Sequence, residues 1–232
     1  MPSKNNSKTT SYEEAFVWIW LPGEIDPVVA GKLTADGHNF SFNYGKSYLE
    51  RPNKIAIYDK ELPLQPGVIP LLDGLSIPGC IRDSSPDAWG RRVLINKKFG
   101  ALGGAIDDIQ LDELTFLLES GSDRIGALDF QLSPTDYQPR IASSATLDEL
   151  MASAELVEKG IPLPVELNLA LYHGSPVGGA RPKVLIQDEH KKYIAKFSST
   201  TDVYSVIKAE FIAMRLAQIA GLNVAPVSLK RS

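Results

Sequence analysis

The stretch Gly174-Ser175-Pro176-Val177-Gly178-Gly179-Ala180-Arg181-Pro182-Lys183 leads into Val184-Leu185-Ile186 and then, beyond Asp188-Glu189-His190, into Tyr193-Ile194-Ala195-Lys196-Phe197. Two adjacent glycines let a backbone approach an anion closely, and the apolar runs after them read as strands. The pattern is loop, strand, turn, strand, with Asp188-Glu189-His190 as the hairpin turn. Lys196 then lies on the second strand, antiparallel to the strand that leaves the loop. No G-x-x-x-x-G-K-[ST] sequence is present, so this is not a Walker A loop.

Asp202 to Ala220 has helical spacing, with Ile207, Phe211 and Met214 on its apolar face. Glu210 falls on the same face, where a carboxylate is costly unless it meets a cation. Lys196 is the obvious partner. A glycine loop over phosphates, a strand lysine reaching them and a helix glutamate holding the lysine is the arrangement of protein kinases. On composition alone Lys196 would be a solvated surface residue; the Gly178-Gly179 loop before it and Glu210 after it reverse that reading. Lys183 and Arg181 are rivals for the phosphate, but their place beside the loop assigns them to its support or to substrate. Gly221 closes the helix, and Leu222-Asn223-Val224-Ala225-Pro226-Val227 reads as a further strand.

These residues resemble a known family. Gly178-Gly179-Ala180-Arg181-Pro182-Lys183, Ile194-Ala195-Lys196-Phe197, Ala209-Glu210-Phe211 and Gly221-Leu222-Asn223-Val224-Ala225-Pro226 are similar to the front of a HipA-type serine/threonine kinase, the toxin half of bacterial toxin and antitoxin modules. Val17-Trp18-Ile19-Trp20, Phe40-Ser41-Phe42-Asn43-Tyr44 and Asp83-Ser84-Ser85-Pro86-Asp87-Ala88-Trp89-Gly90-Arg91-Arg92 are similar to that family's amino-terminal module. The resemblance implies that backbone N–H groups from Val177, Gly178, Gly179 and Ala180 hold the phosphates of ATP, brought with magnesium, that Lys196 neutralises them, and that Glu210 positions Lys196. It implies a protein substrate and a helix-turn-helix antitoxin as partner. The chain departs from the family in holding no catalytic Asp-x-His-x-x-Asn loop and no later metal aspartate, so no catalytic residue is assigned and phosphoryl transfer by this chain alone is not expected. The family's autophosphorylated serine falls at Pro176, which leaves the neighbouring Ser175 as the candidate. A kinase lobe truncated before its catalytic loop is the organisation this implies.

A chain of 232 residues can hold one large core or two modest ones, and its formal charge of -4 gives no general attraction to nucleic acid. The one cysteine, Cys80, excludes an internal disulfide, and the three histidines have no metal-ligand spacing with it. No stretch approaches the roughly twenty apolar residues of a membrane span, and Met1 to Ser11 is polar without an apolar signal core, so the reading is a cytoplasmic protein with a disordered leader.

From Ala15 to Ile57 short alternating runs at Phe16–Trp20, Val28–Leu33 and Phe40–Tyr44, divided by Pro22-Gly23 and Asp36-Gly37, describe a small antiparallel sheet whose aromatics form a core face rather than a ligand box. Glu61–Gly67 and Ile69-Pro70 are too rich in proline for regular structure and read as an ordered loop. Ser85 caps a helix with Pro86 at its first position, ending at Gly100 and packed on the amino-terminal sheet; Asp83, Asp87 and Arg91 serve capping and orientation there, since no nucleophile accompanies them. Gln110–Glu119 and Leu147–Lys159 read as helices, the second opened by a Thr146 and Glu149 capping box, with a strand at Ala127–Leu132 between them.

The sequence therefore describes an α+β protein: residues 1–14 a leader, 15–146 a small antiparallel β module with packed helices, and 147–232 a kinase-like amino-terminal lobe. Two functions compete. One is the ATP-binding portion of a HipA-like protein kinase. The other is a non-catalytic module that docks an antitoxin or a separately encoded kinase carboxy-terminal half. No direct contact with nucleic acid or membrane is expected in either.

Overall fold

A computed structural model describes residues 12–99, 111–140, 146–164, 178–187 and 191–230. The fold is mixed α+β. The chain forms two compact units, Met1–Ser85 with Gln110–Pro139, and Pro86–Ile109 with Arg140–Ser232. No helix among the described residues is long and apolar enough to cross a membrane.

The first unit is built on the antiparallel sheet that the alternating runs predict. Its strands are β1 (Glu14–Ile19), β2 (Val28–Asp36), β3 (Asn39–Tyr44), β4 (Val68–Ile69) and β5 (Leu128–Gln131), arranged in the order β4-β3-β2-β1-β5. Gly37, at φ +61°, makes the tight turn between β2 and β3, where Asp36 pairs with Asn39. The period of two turns Ala15, Val17 and Ile19 into the core with Leu33, Phe42 and Phe130. Of the aromatics in these runs Phe42 and Tyr44 are core, at most 3% exposed, while Phe16, Trp20 and Phe40 are half-buried; the Tyr44 hydroxyl donates to Leu62 O while accepting from Ile57 N. β4 corrects the reading of an irregular loop through Pro70. Val68 and Ile69 pair with Asn43 and Phe42, because the edge position tolerates the proline that follows.

Among the described residues three short helices belong to this unit: α1 (Lys46–Leu49), α2 (Gly79–Arg82) and α4 (Glu113–Glu119). Asp112 caps α4 by accepting from Thr115 N. Asp129 of β5 forms a buried ion pair with Arg124, Nε to Oδ1 at 3.0 Å, with the Arg124 and Asp129 side chains 4% and 0% exposed.

The second unit holds α3 (Ala88–Phe99), α5 (Leu147–Glu158), the hairpin β6 (Lys183–Gln187) and β7 (Lys192–Lys196), and α6 (Val206–Ile219). Thr146 and Glu149 form the capping box expected at α5, and Gly160, at φ +66°, follows its end. Two expectations for α3 are corrected. The helix opens at Ala88 rather than Pro86, and the Ser85 hydroxyl donates to Glu113 instead of serving as its cap. Its apolar side chains enter the core of the second unit: Trp89 and Val93 pack with Leu150, Ala154, Val157 and Val184. A 3.6-residue apolar stripe says that a helix is buried, not which neighbour buries it. Leu222–Val227 is also corrected, since none of it enters a ladder. Strand propensity without a paired edge leaves extended chain.

Candidate functional site

The β6 and β7 ladder sets the geometry of this region. Val184 pairs with Ala195, and their shared face enters the core with Ile186 and Phe197. By alternation the opposite face carries Lys183 and Lys196, paired directly across the ladder. Phe197 N donates to Pro182 O and extends the pairing towards the glycine loop.

Of the loop residues assigned to phosphates, Gly178, Gly179 and Ala180 are described and exposed. Val177 and Ser175 lie outside the described residues, as do Pro176 and the turn Asp188-Glu189-His190. Gly179 sits at φ +107°, and a Cβ there would collide with the Lys183 ammonium. Lys183 is 6% exposed and its Nζ donates to Gly178 O, so it supports the loop, as its position predicts. Burial first, and then the neighbouring Lys196, pull its pKa below the ordinary lysine value; Asp87 and Glu210 act in the opposite direction.

Lys196 Nζ donates to Glu210 Oε1, so the strand lysine and the helix acid meet as the spacing predicts. The pair is wetter than the sequence implies, with side chains 42% and 43% exposed. No residue of α6 is fully buried; Ile207, Phe211 and Met214 are half-buried, so an acid on that face keeps contact with water. Arg181 pairs with Asp202. The Ser199 N–H, and then Arg181, hold the Asp202 carboxyl below its usual range.

Two residues of this region escaped the sequence reading as site residues. The Asp87 carboxylate accepts the Gly179 N–H at 2.6 Å, while Gly179 O accepts the Trp89 N–H at 3.1 Å. The Trp89 indole is buried and donates to Lys183 O at 2.9 Å. The start of α3 thus grips the glycine loop and the first residue of β6. The signal was the Asp83–Arg92 motif itself, which reads as helix capping when its distant partner is invisible.

The arrangement offers backbone N–H groups, two adjacent ammonium groups and one acid that orients the more exposed of them. That is equipment for holding a multiply charged anion. Among the described residues no cluster of three or more His, Cys, Asp or Glu could hold a metal ion.

Comparison with known families gives two matches: a HipA N-terminal domain over residues 20–131 and a HipA-like C-terminal domain over residues 175–232. No curated protein matches the chain. The two domains occur in the order that the motifs imply, and the second contains the glycine loop, Lys196 and Glu210. The chain belongs to the family of HipA-like toxin kinases.

Proposed function

We propose that the second unit is the phosphate-holding part of the ATP site of a serine/threonine protein kinase. The observation that carries this is the joining of Lys196 to Glu210 beside the glycine loop. Lys183, directly across the ladder from Lys196, is itself bonded to Gly178. ATP, entering with magnesium, supplies the transferable phosphoryl group. The chain's part is to bind and orient it. N–H groups of the glycine loop hold the phosphates, Lys196 offsets their charge, and Glu210 keeps the Lys196 ammonium from folding away. Lys183 fixes the loop from behind. The acceptor is a protein hydroxyl, with Ser175 as the candidate for self-modification, and a helix-turn-helix antitoxin is the partner expected of such a toxin.

Titrating MgATP into the 15N-labelled chain tests the reading. Amide shifts at Gly178, Gly179, Ala180 and Lys196, lost in Lys196→Ala, are the expected result. Amides that stay unmoved at millimolar MgATP would overturn it.

A second reading, a docking module for an antitoxin or for a kinase carboxy-terminal half, is favoured by one observation. Ile212, Leu216 and Ile219 form an i, i+4, i+7 stripe on α6 and are 56%, 60% and 76% exposed. The two readings are compatible, because the stripe and Glu210 belong to different parts of the helix surface. Binding of a purified antitoxin that Leu216→Glu abolishes, with MgATP shifts unchanged, would favour docking.

A further inference from the structure

Gly179 N–H is one of the groups assigned to phosphate, yet in this structure it already binds an anion. Asp87 Oδ2 accepts it at 2.6 Å. The carboxylate is exposed, as is Gly179, and exposed charged contacts are weak enough to exchange. Asp87 also bears on Lys183, since its charge favours the protonated form of that lysine. It therefore meets two of the needs that a phosphate would meet: an acceptor for the loop amide and negative charge near the twin ammonium groups.

The bonds around Gly179 are divided in a way that suits release. If Asp87 swings out, the loop keeps its other anchors on α3, the Trp89 N–H on Gly179 O and the buried Trp89 indole on Lys183 O. The amide is freed without freeing the loop. Gly178 matters for the same reason. A Cβ at position 178 would stand 2.9 Å from Asp87 Oδ2, so only a residue without one lets the carboxylate close on the loop unhindered.

Resting on the ATP-site reading above, we propose that Asp87 is an internal competitor for nucleotide phosphate. It occupies the Gly179 N–H and must leave before a phosphate oxygen takes that N–H. Asp87 is a gating residue, then, acting on the affinity of the loop rather than on any chemical step.

The test compares the full chain with Asp87→Asn and Asp87→Ala, using inorganic tripolyphosphate and MgATP as probes. Asn keeps the shape of Asp, so Asp87→Asn removes the charge without changing the packing volume at the start of α3. Without ligand, the Gly179 amide proton should move upfield and exchange faster with solvent in both variants. With ligand, both should bind tripolyphosphate and MgATP about fivefold tighter than the unaltered chain, near the upper limit for one exposed charge contact. Equal or weaker binding by folded variants, while the unaltered chain binds MgATP at Lys196, overturns the gate and leaves the ATP site standing. Absence of binding to either probe by all three proteins overturns both. Near-ultraviolet dichroism of the buried Trp89 confirms that the variants fold.

Discussion

Lys183 and Lys196 face each other directly across the β6 and β7 ladder, two cations in a position where like charges weaken a sheet. Asp87 and Glu210 offset them, each raising the pKa that burial and Lys196 lower at Lys183. The pairing is the cost of gathering positive charge on one sheet face, and a bound polyphosphate would offset it further.

Replacing Lys196 with Met removes the second cause of the Lys183 shift and frees Glu210 to act on Lys183 alone. The Lys183 pKa should then move up towards the ordinary 10.5. Because the folded value lies below the unfolded one, the folded state binds its proton less tightly, and stability from this group rises as pH climbs through the window that ends near 10.5. In Lys196→Met that rise should shrink. Titration of the Lys183 Nζ resonance checks the shift, and an unmoved midpoint would show that the two ammonium groups do not interact.

A double-mutant cycle on Lys196 and Glu210 should give a small coupling in stability. With both side chains more than two-fifths exposed, the pair is screened by water, and coupling of about 1 kcal/mol or less is expected. Urea unfolding of the two single Ala variants and the double variant measures it. A coupling of several kcal/mol would mean that the pair is far drier than its exposure indicates.

Much of this was legible in local pattern. The β1 to β3 runs, the capping box at Thr146, the hairpin that carries Lys196 and the Lys196 to Glu210 pair all follow from periodicity and turn chemistry within short windows. What escaped was set by distant partners. Nothing near Asp87 announces that its carboxylate meets Gly179, ninety-two residues later, and nothing near Trp89 announces Lys183. Gly31 is similar. It reads as an ordinary strand residue, but a Cβ there would come within 2.6 Å of the Phe42 ring on the neighbouring strand. The degree of burial escaped too, since spacing places Glu210 on an apolar face without saying how thickly that face is covered.

Cys80 should be nearly inert to alkylation in the folded chain. Burial first, and then its hydrogen bond with Glu61, push the thiol up from 9.0 to about 12. At pH 8 that leaves the thiolate roughly a thousandfold scarcer than in an unfolded thiol. Iodoacetamide kinetics in buffer and in denaturant should differ accordingly. The same shift stabilises the fold fully below pH 9.0, and that contribution is lost as pH rises towards about 12. Fast labelling of the native protein at pH 8 would contradict the assignment.

Arg124 and Asp129 should behave oppositely to Lys196 and Glu210, because burial rather than chemistry separates the two pairs. Asp129 accepts from Arg124 Nε, from Ser122 Oγ at 2.7 Å, from the Tyr137 hydroxyl at 3.0 Å and from Gln131 Nε2 at 3.1 Å. Arg124 in turn donates to Ser84 O and Leu117 O, both at 2.6 Å, and to Ser120 Oγ at 2.7 Å. Asp129→Asn would remove the carboxylate paired with a guanidinium that is 4% exposed, a loss of about 3–5 kcal/mol. Arg124→Met should cost a similar amount by taking the guanidinium from a carboxylate that is 0% exposed. The double variant should lose much less than the sum, since it removes both charges of the pair together. Urea unfolding of the three variants tests this, and additive losses would mean that the two side chains stabilise the first unit independently through their other hydrogen bonds rather than through each other.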